Sequence, residues 1–569
     1  MRKIIIFIMF FILFHNLMFS IELKGKITDT SGAPLKTGYV LVKPKDGKTY
    51  IKSELNKNGE FSFNDLKKGI YEFKIDIYSV EKLKQDIEIN GDKTLNLTAK
   101  INLLDRALIF IRNVSDIMWG SWMIILLVGT GIILSFATGF VQIRRLIKSL
   151  SLVFKGAFKT DKTEKEEGDI SPYAALMTAL AATVGNGNIA GVATAIATGG
   201  PGAPFWMWVA GFFGMATKYA EGFLGVKYRK KNKIGEMAGG PMYYARYGIK
   251  WKTAAKFLGG LFAVAGALTA LLGTGNMAQS NSMALAFNTQ FHIPFWISGL
   301  VIAFFTGLVT LGGIKKIGSV SEKLVPTMII LYFAGALIIL IVKFTQIPAA
   351  FLLIFKAAFS VKAVGGALIG TSVRQAISIG VRRGVLSNEA GLGSAAIAQA
   401  ASRSPEPTYN GLIAMTGTFI DTIFVNTLTT LTIVLTGAYL KTAAYGASNG
   451  LTSTALTMHA FDSVIPYGGA IIALSSFLFG YSTLLGWSYY GEKCLEYVFG
   501  TKIIYPYRVT FIALLFVGSI VQGPYLNIIW YTGDSANAVM ALPNLIALLF
   551  LAKVVYKETK EKIYIKKYW

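Results

Sequence analysis

Charged residues, histidine and cysteine are scarce in this chain of 569 residues. Charged side chains make up 15% of it, and it has three histidines and one cysteine, Cys494. A single cysteine excludes a disulfide framework. The few histidines lie apart, and no nucleophile with a general base is evident, which argues against a metal centre or a hydrolytic site. We therefore predict that the protein is not an enzyme and uses no organic cofactor.

Hydrophobic residues make up 53% of the chain, and the mean hydropathy is +0.51. Over this length, such a composition is typical of a polytopic membrane protein. The net charge of +25 comes from lysines and arginines in short segments between apolar runs, not from one basic domain. The charge therefore indicates orientation in a lipid bilayer rather than binding to nucleic acid.

The first 104 residues differ from the rest. Residues 1–20 place Arg2 and Lys3 before an apolar run, which is typical of a secretory signal peptide; an uncleaved anchor helix is the alternative. From 21 to 104, short strand-forming segments alternate with turn residues and predict a small all-β sandwich. Its strings GKITDTSGAPLKTGYVLV and NGEFSFNDLKKGIYEFKI resemble the carboxypeptidase regulatory-like, transthyretin-type β-sandwich. The partner of this domain is unknown.

Residues 105–556 predict an all-α transporter domain of about eleven transmembrane helices, followed by a basic cytoplasmic tail at 557–569. The predicted spans are 118–141, 172–198, 205–226, 254–274, 294–312, 325–342, 349–381, 412–437, 467–490, 509–522 and 537–552. Loops rich in Lys and Arg alternate with loops that are nearly bare of them. The positive-inside rule therefore places the C-terminus in the cytoplasm and the β domain outside the cell membrane.

The second span contains the string AATVGNGNIAGVATAIATGG at residues 181–200. Its five glycines and two asparagines disfavour an unbroken helix. Irregular backbone is tolerated in a membrane only where it is buried in protein or lines a polar cavity. Close helix packing at the small residues is the alternative, but packing does not explain the asparagines. We expect a ligand at the break, along Gly185, Asn186, Gly187 and Asn188.

The seventh span is also interrupted, and it runs in the opposite direction to the second. Interrupted spans at corresponding positions of two opposed halves indicate an inverted-repeat secondary transporter with its site near the midplane. Spans two to six and seven to eleven would form this 5+5 repeat. The first span is then an extra helix.

Several long strings resemble the alanine or glycine:cation symporter family, also called the sodium:alanine symporter family. They are TVGNGNIAGVATAIATGGPGAPFWMWVAGFFGMATKYAEGFLGVKYR, GVRRGVLSNEAGLGSAAIAQAAS, GLIAMTGTFIDTI and FGYSTLLGWSYYGEK. The resemblance runs from residue 119 to about 552 and implies a LeuT-type fold. It also implies transport of a small neutral amino acid with sodium, or sometimes a proton. The chain departs from the family at Asn186, where threonine is usual, and in its external β domain.

An amino acid is a zwitterion, and the ends of a broken helix offer both N–H groups and carbonyls to it. The resemblance adds Gln279 and Trp487 to the substrate pocket. The alternative for Asn276 and Gln279 is that both face the outer aqueous layer. We expect Asn186 to line the cavity and to affect which small amino acid fits. The predicted substrate-binding residues are Gly185, Asn186, Gly187, Asn188, Asn276, Gln279, Thr483 and Trp487.

Sodium prefers hydroxyl and carbonyl oxygens, and the resemblance implies a sodium site shared by spans two and nine. The predicted sodium-binding residues are Ala182, Gly185, Asp421, Ser482 and Thr483. The alternative for both hydroxyls is a bond back to their own helix. Asp421, deep in span eight, attracts the cation, relays a proton or bonds a neighbouring backbone, and these alternatives stay open.

The motif SNEAGLGS follows Arg382 and Arg383, so we expect it at the cytoplasmic mouth as a gate or helix-breaking turn. Its predicted gating residues are Asn388, Glu389, Gly391 and Gly393. Taken together, these features predict sodium-coupled symport of alanine and glycine into the cell. Proton-coupled symport is one alternative, and a transporter-like receptor with a ligand-sensing β domain is another.

Overall fold

The computed structural model describes residues 21–565 except 30–31, 36–37, 48–49, 78–79, 159–165, 360–372, 405 and 443–449. The predicted signal peptide and the middle of the predicted seventh span lie outside the described residues. The chain divides into two compact units, with the boundary between Asn113 and Val114.

The N-terminal unit holds two β-sheets. Its strands are β1 Ile21–Asp29, β2 Tyr39–Pro44, β3 Ile51–Glu54, β4 Glu60–Leu66, β5 Gly69–Ile77, β6 Val80–Ile89 and β7 Lys93–Ala99. One sheet has the order β4-β1-β7, with β1 and β7 parallel, and the other has the antiparallel order β3-β2-β5-β6. Leu23 and Val40, one from each sheet, are fully buried, and the Phe61 and Phe73 rings meet between the sheets with centroids 5.7 Å apart. The predicted all-β sandwich is confirmed.

The rest of the described chain is mainly helical. The α-helices are α1 Leu103–Met118, α2 Ser121–Ala137, α3 Val141–Arg144, α4 Leu146–Phe158, α5 Pro172–Thr183, α6 Val192–Gly199, α7 Ala203–Lys227, α8 Pro241–Gly248, α9 Lys252–Leu272, α10 Met277–Phe291, α11 Phe295–Thr310, α12 Gly313–Val342, α13 Ile347–Phe359, α14 Val373–Asn388, α15 Ala395–Ala400, α16 Pro407–Thr418, α17 Asn426–Leu435, α18 Ser453–Asp462, α19 Gly468–Phe499, α20 Ile504–Ile520 and α21 Pro524–Thr559. A short pair of strands, β8 Lys230–Lys231 and β9 Met237–Ala238, lies between α7 and α8. Three π-helical segments also occur, Gly187–Gly191, Phe419–Val425 and Lys560–Ile565.

Among the described residues, seven helical stretches are long and apolar enough to cross a membrane, and the bent pair formed by α5 and α6 makes an eighth. Helix α7 has 25 residues but is not among them, and α11 has only 16 residues. A helical membrane protein is thus confirmed. The count of eleven spans and the 5+5 repeat remain predictions.

Two segments that we predicted as external loops are helical. Residues 277–291 form α10, and residues 524–536 form the first part of α21. Both are rich in polar and small residues, so a search for apolar spans passes over them. In α10, one of these polar groups forms hydrogen bonds to the neighbouring helix. The Asn281 amide donates to the carbonyls of Gly518 and Val521 at 3.0 and 2.7 Å.

Candidate functional site

The predicted break in the second span is present. Helix α5 ends at Thr183, the π-helical segment Gly187–Gly191 follows, and the two halves are bent by 48°. At the bend, the Gly185 N–H donates to Asn188 Oδ1 at 2.9 Å. This bond satisfies a backbone donor that an unbroken helix would have paired.

A second irregular segment, Phe419–Val425, lies against the first. Asn188 Nδ2 donates to Asp421 Oδ1 at 2.7 Å and to Asn426 Oδ1 at 2.9 Å, and the Thr429 hydroxyl donates to the Asn188 carbonyl at 2.8 Å. π-helical turns are rare and occur frequently at functional sites. We did not predict this one, because FIDTIFV contains neither glycine nor proline.

Asp421 is fully buried, and both of its carboxylate oxygens accept hydrogen bonds. The Ser387 hydroxyl lies 3.2 and 3.0 Å from Oδ1 and Oδ2, and the Thr422 hydroxyl donates to Oδ2 at 2.7 Å. In the part of the chain that the structure describes, no lysine or arginine forms an ion pair with Asp421. A buried carboxylate held by neutral donors alone is suited to a cation or a proton.

Sequence reasoning missed three of the groups around this carboxylate, Ser387, Thr422 and Asn426. The available signal was a hydroxyl or amide inside an apolar span. That signal is weak, since hydroxyls in membrane helices usually bond their own backbone.

Asn186 bridges two other helices. Its Nδ2 donates to Gln279 Oε1 on α10 at 3.1 Å, and the Ser476 hydroxyl on α19 donates to its Oδ1 at 2.6 Å. Gln279 is therefore next to the break. Asn276 is not brought to the break by these contacts, because its amide donates to the Phe511 carbonyl on α20 at 2.9 Å.

Helix α19 packs directly on the break. A Cβ at Gly185 would collide with Thr483 Oγ1, and a Cβ at Gly486 would lie 2.6 Å from the Ala182 Cβ. The structure thus brings Ala182, Gly185 and Thr483 together, while Asp421 joins them only through Asn188.

The hydroxyls of Ser482 and Thr483 both donate to the Phe479 carbonyl at 2.9 Å, which is the alternative that the sequence left open. Ser482 Oγ also lies 3.5 Å from the Val184 carbonyl oxygen at the break. Donating one hydrogen leaves each hydroxyl oxygen with lone pairs, so both atoms can still coordinate a cation.

Trp487 connects α19 to the SNEAGLGS segment. Its indole Nε1 donates to Glu389 Oε1 at 3.0 Å, and the Ser394 hydroxyl donates to Glu389 Oε2 at 2.5 Å. The indole lies against Gly275, where a Cβ would be 2.8 Å from the ring. A predicted gating residue thus holds a predicted substrate-pocket residue in place.

The SNEAGLGS segment is a tight turn between α14 and α15. Glu389, Gly391 and Gly393 have φ angles of 55°, 92° and 82°, in the region that glycine adopts without strain. The N–H groups of Gly391 and Gly393 donate to Glu221 Oε1 at 3.0 and 3.1 Å. Asn388 Nδ2 donates to Thr422 Oγ1 at 2.9 Å, which ties the turn to the second π-helical segment.

Arg382, one of the two basic residues before this turn, contacts two segments that lie far from it along the chain. Arg382 donates to Asp534 Oδ2 at 2.7 Å, and its guanidinium lies 5.3 Å from the centre of the Trp119 ring. Both partners belong to segments that the positive-inside rule places at the outer end. The expected placement of SNEAGLGS at the cytoplasmic mouth, which rested on Arg382 and Arg383, thus conflicts with the predicted outer placement of these two segments, and both stay predictions. The motif lies within the bundle, against Asp421 and Trp487.

Residues 105–567 match the sequence profile of the sodium:alanine symporter family. The chain belongs to the sodium:alanine symporter family. It is 50% identical over 450 residues to the sodium/alanine symporter AgcS of Methanococcus maripaludis, covering 79% of this chain and 96% of that protein. It is 44% identical over 448 residues to an uncharacterized transporter of Haemophilus influenzae, covering 79% and 94%.

Among solved structures, the chain is similar to the crystal structure of MhsT in complex with L-phenylalanine, at 14% identity and a TM-score of 0.42. That match covers 69% of this chain and 98% of MhsT. The matched family is one of transporters, so the prediction that the protein is not an enzyme is confirmed. The β-sandwich strands lie before the range that the family profile matches.

Proposed function

We propose that this symporter moves small neutral amino acids, alanine and glycine, into the cell together with sodium. The observation that carries the proposal is the buried Asp421 carboxylate, bonded to Asn188 at the break and paired with no basic side chain among the described residues. Such a group favours a small cation. The 50% identity to a protein named a sodium/alanine symporter supports the choice of ion and substrate.

The substrate would lie at the break, with its carboxylate on N–H donors and its ammonium on carbonyls of the stretch Gly185–Asn188. Gln279, Thr483 and Trp487 would complete the pocket. Asn276 is left out, because its amide is bonded to α20. Backbone oxygens of Ala182 and Gly185, the hydroxyls of Ser482 and Thr483, and Asp421 would provide oxygens for sodium.

The proposed architecture has eleven spans in two inverted repeats, with the β-sandwich outside and the C-terminus in the cytoplasm. The alternation of basic and bare loops supports this orientation. The turn of Asn388, Glu389, Gly391 and Gly393 would act as a gate, since its bonds reach both the Asp421 segment and Trp487.

Uptake of radiolabelled alanine into proteoliposomes, under separate sodium and proton gradients, tests the proposal. We expect an inward sodium gradient to drive accumulation, and an ionophore that collapses it to abolish accumulation. Protein-free liposomes are the control. Full uptake on a proton gradient alone, with no effect of sodium, would reject sodium coupling and make Asp421 the leading proton carrier.

A further inference from the structure

We propose that Asn186 acts on substrate recognition indirectly, as a positioning residue that fixes which end of the Gln279 amide faces the substrate. This inference rests on the proposed function, in which the break holds an amino acid. It concerns the residue at which the resemblance implies a departure from threonine.

The Asn186 amide is held at both ends. Its Nδ2 donates to Gln279 Oε1, and its Oδ1 accepts from Ser476. Helix α19 passes close by at Gly480, where a Cβ would lie 3.3 Å from Asn186 Nδ2. Asn186, Gln279 and Ser476 are 7%, 9% and 1% exposed. Burial makes each of these bonds costly to break, so the amide is held in one orientation.

This orientation determines what Gln279 can offer a ligand. Among the described residues, the bonds of the Gln279 side chain engage Oε1, which leaves the two N–H donors of Nε2. Donors recognise an oxygen acceptor, which in a small amino acid is the carboxylate or a side-chain hydroxyl. Gln279 would therefore bind an oxygen of the substrate through Nε2, the end of its amide that is not bonded to Asn186.

A threonine at position 186 would replace the amide with a single hydroxyl on a shorter side chain. One oxygen would then have to serve as both donor and acceptor, whereas the amide has a separate group for each role. The asparagine is thus suited to span the gap between α10 and α19 and to fix the orientation of the Gln279 side-chain amide.

A double-mutant cycle of Asn186→Leu and Gln279→Met on the affinity for alanine tests this mechanism. Both replacements are neutral and close in size to the native residues. We expect Gln279→Met to weaken binding about tenfold, the effect of losing a hydrogen bond to a charged group. Asn186→Leu should weaken it about threefold, because the freed glutamine amide can still reach the substrate in some of its orientations. The double variant should match Gln279→Met alone, because Asn186 acts through Gln279.

Independent effects that multiply in the double variant would overturn the proposal, since a purely structural asparagine predicts that result. An unchanged affinity in Gln279→Met would also overturn it. Should the leucine lower the amount of folded protein, Asn186→Ala takes its place. Binding to purified protein is the readout, so wild-type protein that binds no small neutral amino acid rejects the proposed function itself.

Two controls sharpen the cycle. Ser476→Ala removes one end of the clamp but keeps the bond from Asn186 to Gln279, so we expect less than a threefold loss. Comparing alanine with serine separates the two acceptors. An equal loss for both in Gln279→Met assigns the substrate carboxylate, and a larger loss for serine assigns its hydroxyl.

Discussion

At the scale of single residues, Ser482 and Thr483 are the clearest candidates for sodium ligands. Their hydrogens are donated to Phe479, and their oxygens lie where α19 touches the break. Each hydroxyl thus makes the bond to its own helix that is expected in membrane helices. Its oxygen keeps lone pairs that can coordinate a cation.

Replacing both with alanine should raise the sodium concentration for half-maximal uptake on the order of tenfold, the change that about 1.4 kcal/mol produces. Sodium-dependent alanine uptake at matched amounts of membrane protein is the measurement. Thr194→Ala is the control, because that hydroxyl donates to the Ala190 carbonyl of its own helix at 2.7 Å. A sodium curve identical to that of wild type would place the ion elsewhere.

Residue types in an apolar span were enough to predict that Asn186, Asn188 and Asp421 have polar partners, since buried polar groups must find them. They were not enough to predict the partners. Ser476 lies 290 residues from Asn186 along the chain, and only the fold brings their helices together. Whether an amide faces the substrate or a neighbouring helix depends on such contacts.

At the scale of helices, the break and α19 meet across glycines that allow very close approach. Adding one methyl group at Gly185 would drive it into the Thr483 hydroxyl. The glycine is needed here for space, since its φ angle is not among the positive ones.

Gly185→Ala should therefore impair sodium-dependent uptake at least tenfold, because Thr483 or the broken helix must shift by several tenths of an ångström. Gly191→Ala is a matched control in the same broken helix, since nothing lies within 4 Å of a Cβ there. Uptake by the two variants at equal expression is compared. Equal activity of the two would show that the contact with α19 does not shape the site.

Glycine content predicted the first irregular helix but gave no sign of the second. The segment Phe419–Val425 departs from α-helical bonding without a residue that forces it. Tertiary contacts with Asn188 accompany that departure, and a pattern confined to one helix does not contain them.

At the scale of the whole molecule, the chain joins a β-sandwich to a helical unit that belongs to a transporter family. The alternating strand pattern was sufficient to predict the first, and apolar length was sufficient to predict most helices of the second. Helices α10 and the start of α21 were missed, because buried polar residues in a helix bundle resemble those of loops.

Deleting residues 21–99 while keeping 1–20 should leave the affinity for alanine within about twofold of wild type. The reason is that the family match begins at residue 105 and the sandwich has its own core. Uptake in proteoliposomes with equal protein content is the measurement. Loss of uptake in correctly inserted protein would contradict an accessory role. A full-length protein that binds alanine without moving it would favour a receptor.

The close packing of α19 on the break also has a consequence for evolution. Gly185 faces Thr483, and Gly486 faces Ala182, so each contact has a fixed total volume shared by two positions. A larger side chain at one position can be accommodated only by a smaller one at the other. We therefore expect the two positions of each contact to change together. Suppressors of Gly185→Ala should accordingly arise at position 483, as alanine or glycine, which lack the colliding hydroxyl, and not at the other positions that surround the substrate.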